Sequence, residues 1–417
     1  MRPMLAAAAA TTAGVAPVFL TSATAVQIGR SLPLGGRHLG IAVAAFFATS
    51  ALCAAVSGRL TERAGAALVM RAALVPTVLS LGALAAFVRT WPELVGTLAV
   101  AGVGNGTIQP AANGYIAGAV GAGRQGLAFG VKQAAIPAAV LLSGLAVPAV
   151  ALSVGWQWAF AAAAASAVGV AGTLRHPRRR DRPGAAAEDR SRADDSGGGS
   201  PGPPATPGRP VPRAQLARPG PELDRQALLV LAAGSACGSA AANALGAFVV
   251  LDAVHAGAAP SAAGLIAGIG GAASLVMRLY LGHRADQRGD AQFGVVALAM
   301  VVGVAGFVGL APGVGELLVP AVVVAYGTGW AWAGLLTYAV ADTYRSAAAR
   351  ATSRTQSGAS VGACIGPLGF GVLVDSLGWS AAWLVAAAVL TLAGALVVVG
   401  ARLLARPPGT PVPANGE

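Results

Sequence analysis

Long apolar runs recur twelve times along this chain. A run of about 20 such residues is what a helix needs to cross about 30 Å of hydrocarbon. In the first half the runs lie near 5–28, 38–57, 66–88, 93–116, 127–151 and 156–174. In the second half they lie near 227–250, 260–281, 292–311, 316–340, 354–375 and 379–401. Backbone polar groups in lipid must be satisfied within the spanning segment itself, so runs of this length point to helices. The first run follows the start MRPMLAAAAATTAG and has some look of a signal peptide, but it exceeds the apolar core of about 7–15 residues that such a signal carries. The composition agrees: 55% of residues are hydrophobic and 11% charged, against about 25% charged in soluble domains. A large soluble enzyme and a disordered chain are both excluded. The formal net charge is +12, but nucleic-acid binding needs a clustered basic face. Here the charges lie between apolar runs, so the expected partner is the lipid bilayer and no nucleic acid is expected. The expected fold is an all-α polytopic membrane protein.

The arginines set the orientation. With both termini on the cytoplasmic side, the outer loops hold only Arg30, Arg37 and Arg89. The inner segments hold Arg59, Arg63, Arg124, Arg284, Arg288, Arg345, Arg350 and Arg354, among others, as basic residues favour the inside. Trp91, Trp156 and Trp379 then fall at outer helix ends, where indole rings favour the interface. The expected location is the cell membrane (inner or plasma), multi-pass. Residues 175–224 are dense in Pro, Gly and charge, too poor in apolar surface to fold alone. They divide the chain into an N-terminal bundle (1–174), a disordered cytoplasmic linker (175–224), a C-terminal bundle (225–405) and a tail (406–417). The linker's arginines would attract anionic lipid. Cys53, Cys237 and Cys364 fall inside apolar runs without metal-ligand spacing and read as small hydrophobes. No metal or cofactor is expected.

The second half repeats the first at a shift of 223 or 224 residues. Gly58-Arg-Leu-Thr-Glu62-Arg63-Ala-Gly65 lies over Gly282-His-Arg-Ala-Asp286-Gln-Arg288-Gly289. Gly104 pairs with Gly327, Gly106 with Gly329, Tyr115 with Tyr338, Gln133 with Gln356, and Gly155-Trp156 with Gly378-Trp379. Glycine matches are cheap in a chain with 58 glycines; the Tyr, Gln and Trp matches are not. Two six-helix repeats are a transporter architecture. The chain resembles the major facilitator superfamily, the twelve-helix secondary transporters, over both halves. The segment after the second run is similar to that family's G-x-L-x-D-R-x-G signature through Gly58, Leu60, Arg63 and Gly65, with Glu62 where Asp is usual. Its copy keeps Gly282, Asp286 and Gly289, with Arg284 and Arg288 basic. Glycines permit a tight turn, an acid at the start of the next helix meets its positive dipole end, and arginines can pair across the halves. These residues are the expected conformational gate. Two features depart from the family's proton-coupled drug antiporters. Leu98 lies near where the fourth helix of those antiporters has an arginine. The fifth-helix motif G-x-x-x-G-P-x-x-G-G is missing from 127–151 and approximated instead by Gly362, Gly366, Pro367 and Gly371.

The resemblance implies that helices 1, 4, 7 and 10 line a central cavity. Asn105, Gln109 and Asn113, spaced i, i+4, i+8, form one stripe on the fourth helix, and Ser235, Ser239 and Asn243 repeat that spacing on the seventh. Such stripes face a cavity or another helix rather than lipid. Gln27 is a further candidate from helix 1. The tenth helix carries Tyr326, Trp330, Trp332 and Tyr338 instead: a stacking wall, a hydrophobic gate or plain packing. Lys132, the only lysine among 28 basic residues, lies inside helix 5 beside Gln133. It must face water, snorkel to the surface, pair or lose its charge, and an anionic substrate group is a partner it could take. Gln133 and Gln356 would face each other across the cavity. Every carboxylate sits at a loop or helix end, with Asp252, Asp342 and Asp375 nearest the membrane and His38 and His255 on the outer side, so no proton carrier is evident in the core.

The expected function is secondary active or facilitative transport of a small polar organic or anionic solute by alternating access, with a coupling proton or counter-substrate open, in a monomer. Two alternatives stand beside it: multidrug or metabolite efflux by proton antiport, and a non-transporting sensor or scaffold on the same fold. No residue set for nucleophile activation and no phosphate-binding loop occurs, so no enzyme is expected.

Overall fold

The computed structural model describes residues 2–119, 130–174, 224–288, 293–344 and 347–405. Among them there is no strand, and the helices fall into twelve membrane-length segments. The first half holds α1 (Arg2–Ala23, extended by a short turn at Ala25–Ile28), α2 (Gly36–Ala64), α3 (Ala66–Ala86) and α4 (Trp91–Ala119). It closes with α5 (Gly130–Ala151) and α6 (Trp156–Thr173). The second half holds α7 (Arg225–His255), α8 (Pro260–Arg288), α9 (Phe293–Leu310), α10 (Gly315–Thr343), α11 (Ala348–Leu377) and α12 (Trp379–Leu404). Ten are long and apolar enough to cross a membrane by themselves; α4, with its amides, and α6, which starts Trp-Gln-Trp, complete the two sets of six.

The repeat is visible in backbone geometry. Gly155 (φ 108°) and Gly378 (φ 84°) precede α6 and α12, each followed by Trp. A positive φ strains any residue with a Cβ, so the same turn is built the same way in both halves. At the signature segment the structure corrects the sequence reading. α2 runs straight through Gly58 and Glu62, and the turn is a single residue, Gly65 (φ 87°). Glu62 and Arg63 therefore sit in the last turn of α2, not at the start of α3. α8 likewise continues to Arg288, so Asp286 is on that helix rather than at the start of α9. The side chains of Asp286 and Arg288, and all of Gly289, lie outside the described residues. So do the linker (175–223) and the tail (406–417). Asp224 caps α7, its Oδ1 accepting from the N–H groups of Gln226 (2.9 Å) and Ala227 (3.0 Å), as an N-cap carboxylate does.

Small residues bring helices together where lipid offers no hydrophobic drive for association. Gly358, Gly362 and Gly366 of α11 lie against the carbonyls of Ala232, Ala236 and Ala240 of α7, and Gly102 and Gly106 of α4 against Phe46 and Ser50 of α2. The Gly-Pro motif of α11 thus serves two contacts: Gly362 and Gly366 face α7, while Pro367 and Gly371 face α2 in the other half. A Cβ at Gly40 would lie 2.5 Å from the Pro367 carbonyl, and Gly371 abuts Gly36. The second seam joins α5 to α8, where a Cβ at Gly144 would meet the Gly264 carbonyl at 2.5 Å.

The α2–α11 seam closes only the end opposite the chain termini. Gly36, Gly40 and Ala44 of α2 meet Asp375, Pro367 and Cys364 of α11. The same face of α2 continues as Ala48 and Ala51, half-buried, then Ala55, exposed, then Gly58, with open space around it. On α11 the matching face continues as Ser360, half-buried, then Ser357 and Ser353, exposed. Along α2 and α11 the halves are joined at one end and part toward the terminal end.

Candidate substrate site

Three of the sequence candidates meet in one hydrogen-bonded chain at the head of this cleft. Lys132 Nζ donates to Gln109 Oε1 (2.5 Å). Gln109 Nε2 donates to Asn105 Oδ1 at 3.4 Å, and Asn105 Nδ2 donates to Ser50 Oγ (2.7 Å). The chain links α5, α4 and α2. The i, i+4 spacing is what lets Asn105 and Gln109 touch on one face. Lys132 is only 4% exposed and Asn105 the same. Exposure rises along the stripe toward the terminal end: Asn105 is buried, Gln109 half-buried and Asn113 exposed. Thr12 of α1 ties the same level together, its Oγ1 donating to the Ala135 carbonyl at 3.2 Å.

Across the cleft, α10 answers with aromatic rings. The helix is interrupted between Gly327 and Trp332, where two glycines two residues apart weaken helix propensity. Tyr326 and Trp330 pack ring on ring at 5.2 Å, and Trp330 meets Phe19 of α1 edge-on at 5.7 Å. These three rings are buried together, with Gly246 of α7 against Phe19 and Trp330. Trp332 takes no part. It packs on Gly238 and Met300, and its Nε1 donates to its own helix at the Gly329 carbonyl (2.9 Å).

The remaining candidates are not brought to this point. Asn243 donates to the Ser239 carbonyl (2.8 Å) and hydroxyl (3.1 Å), so the α7 stripe is satisfied by its own preceding turn. Gln27 is buried at the opposite end with its Oε1 unpartnered. Gln133 and Gln356 take no part in the chain of Ser50, Asn105, Gln109 and Lys132. Gln133 is half-buried with its carbonyl engaged by Arg278, and Gln356 is exposed. The gate candidates Glu62 and Arg63 are exposed and have no side-chain partner among the described residues, and neither Gly58 nor Gly282 has an atom within 4 Å of a built Cβ.

One buried charge, Arg278, was missed, and the burial of another, Asp252, was understated. Arg278 of α8 is 8% exposed and donates through Nη1 across the halves to the Gln133 carbonyl (2.9 Å) and through Nη2 to the Trp330 carbonyl of its own half (3.1 Å). The sequence signal was Pro137: proline has no N–H, so the Gln133 carbonyl four residues earlier lacks its helical donor. Asp252 is 2% exposed, one turn before the end of α7, with Oδ2 unpartnered. It lines a cavity of about 210 Å³ at the opposite end with His255, Gly313, Trp379 and Ser380. The sequence reading of every carboxylate as a loop or helix-end group understated its burial.

A family model described as Major Facilitator Superfamily matches residues 4–344 and 231–417. No curated protein matches the chain in sequence. Among solved structures, a mutant of the nucleoside transporter NupG superimposes with a TM-score of 0.67 at 12% identity, covering 95% of this chain and 99% of that one. A D-xylose-proton symporter does so with a TM-score of 0.69 at 16% identity, covering 97% of each chain. At these identities the likeness is one of fold.

Proposed function

This chain belongs to the major facilitator superfamily, and from that premise we propose that it moves a small polar organic or anionic solute by alternating access about the cleft between its halves. The carrying observation is the chain from Ser50 through Asn105 and Gln109 to Lys132, a row of buried polar groups at the head of an opening between two bundles. Buried amides and an ammonium in a membrane interior are costly, and a solute that completes their hydrogen bonds accounts for their placement. The end carrying the termini is the cytoplasmic one on the arginine distribution, so the conformation is open toward the cytoplasm of a cell or plasma membrane. Phe19, Tyr326 and Trp330 are the closed outer gate. Linker 175–224 tethers the bundles, and the monomer is the working unit. Glu62 and Arg63, exposed and without a side-chain partner among the described residues, fit this state, because the contacts that shut the cytoplasmic side are broken when it is open.

The test is uptake into liposomes by purified protein, with and without a pH gradient, using D-xylose, uridine and succinate as probes. Asn105→Ala and Gln109→Ala each remove a hydrogen bond to substrate and are expected to lower uptake about tenfold. Uptake unchanged in both variants would place the site elsewhere.

A further inference from the structure

We infer that the cavity walled by α7, the turn between α9 and α10, and the start of α12 is a binding site for a small primary ammonium ion, anchored by the Asp252 carboxylate. The site lies wholly in the second half, apart from the central cleft, and does not depend on the transport reading. Among the described residues Asp252 is the only buried carboxylate, at 2% exposure. It lines the cavity, and its Oδ2 has no hydrogen-bond partner. No cationic side chain among the described residues is paired with it. Trp383 Nε1 approaches the carboxylate without reaching hydrogen-bond geometry and is itself buried without a partner. His255, the next titratable group along α7, has its ring stacked on Trp379 at 5.6 Å between centroids.

Backbone charge makes the same demand. Asp252 sits in the last turn of α7, where a helix presents its negative dipole end. α9 ends at Leu310, on the same cavity. Two negative helix ends therefore meet a negative side chain, against the one positive end of α12 at Trp379. A carboxylate buried without its partner is destabilised, and the field that disfavours it there favours a cation. The cation has a way in, because His255, Pro312, Gly313 and Ser380 at the mouth of the cavity are exposed.

The lining gives the cation's chemistry. One carboxylate balances one positive charge, and no group of three His, Cys, Asp or Glu side chains able to hold a metal occurs among the described residues. Oδ2 lacks a donor, which an N–H group supplies and an alkali or quaternary ammonium ion does not. A primary ammonium brings three donors; the Ser380 hydroxyl and the last carbonyls of α9 are further acceptors at the same cavity. Leu310, Pro312 and Trp379 supply apolar surface for a short carbon chain. The cavity volume of about 210 Å³ lies below the roughly 300 Å³ at which pockets for drug-sized ligands begin, so the amine is a small one.

The experiment is thermal unfolding of the purified full-length protein against increasing propylammonium chloride, with sodium chloride, tetramethylammonium chloride and 1-propanol as comparisons. The expected result is a saturable rise in the unfolding midpoint with propylammonium and no such rise with the other three. Asp252→Asn should weaken that response about tenfold or more, as loss of a charged hydrogen bond does. Without ligand it should unfold at or above the parent midpoint, because the partnerless charge is gone. Ser380→Trp fills the cavity from its exposed rim and keeps the carboxylate; it should lose the response too, and it covers the case in which Asp252→Asn does not fold. Glu316→Gln removes an exposed acid at the start of α10, outside the cavity, and should leave the response intact. No response to propylammonium would mean that the carboxyl is carried neutral and empty, and would overturn the inference. So would equal responses to propylammonium and sodium, or a full response in Asp252→Asn. A response that survives Asp252→Asn and is lost in Gln109→Ala would move amine binding to the central cleft. Liposome uptake is a separate readout, so this inference and the transport reading can fail independently.

Discussion

α4 and α10 occupy equivalent places in the two repeats, yet one is a continuous helix carrying amides and the other is broken and carries rings. Gly104 and Gly106 of α4 pack against α3 and α2; their counterparts Gly327 and Gly329 border the break in α10. Gln109 hydrogen-bonds Lys132, while its counterpart Trp332 is buried against Gly238 and Met300. The positions that set helix turns, such as Gly155 and Gly378, have stayed alike, while those facing the cleft have diverged. A duplicated scaffold needs equal caps and close approaches to keep the halves pivoting together. Its two inner faces can divide the work, one holding polar groups and the other closing the passage.

The largest expected effect tests the packing side of this contrast. Trp332→Ala removes a fully enclosed indole and is expected to cost about 3–5 kcal/mol of stability, as large-to-small core changes do. Uptake per folded molecule should stay near that of the parent, because the ring does not face the cleft. A thermal melt paired with liposome uptake separates the two quantities. A fall in uptake with unchanged stability would return Trp332 to the substrate wall.

On the polar side the expected loss is smaller and of another kind. Gln109→Leu keeps the volume but leaves the Lys132 ammonium without its acceptor, a penalty of about 1–3 kcal/mol for an unsatisfied buried group. Lys132→Met in the same background should recover much of that stability, because the uncompensated charge is gone, but should not recover uptake. If the single variant melts at the parent temperature, the Lys132–Gln109 bond carries no weight.

The sequence made some of this contrast legible and hid the rest for identifiable reasons. The spans followed from hydropathy, and the joint face of Asn105 and Gln109 from a spacing of four. Their end partners, Ser50 on α2 and Lys132 on α5, depend on helix packing that spacing does not encode. Trp332 could not be told from Trp330 because the two lie at the break in α10, where helical spacing no longer fixes direction and only the neighbours decide which faces the cleft. Arg278 was counted with the arginines that mark the cytoplasmic side. Its cross-half bond joins residues 145 apart in sequence, although Pro137 had already announced a carbonyl in need of a donor. The signature segment misled because its glycines suggested a loop, whereas only Gly65 turns and the rest extends α2.

The smallest effect concerns the seam at the end opposite the termini, the outer end in the proposed orientation, where the halves meet through a helix cap. α2 has no side-chain cap of its own, and Asp375 of α11 supplies one, its Oδ2 accepting from the Arg37 N–H at 2.9 Å. A carboxylate at a helix N-terminus is favoured by both the hydrogen bond and the dipole. Because this cap spans the two halves, it exists only while the outer end is closed. Asp375→Ala should therefore cost the closed state about 1 kcal/mol, which moves the balance between states about fivefold toward the outward-open form. Cys364 is a built-in reporter: its sulfur rests 3.6 Å from the Ala44 carbonyl inside the seam. With Cys53 and Cys237 replaced by serine, labelling of Cys364 by an impermeant maleimide from outside should rise about fivefold in Asp375→Ala, in proportion to the open population. Asp375→Asn keeps an acceptor oxygen and loses only the charge, so its labelling rate should fall between the two. Equal rates in all three proteins would mean that the apolar and glycine contacts from Gly36 to Ala44 hold the outer end by themselves.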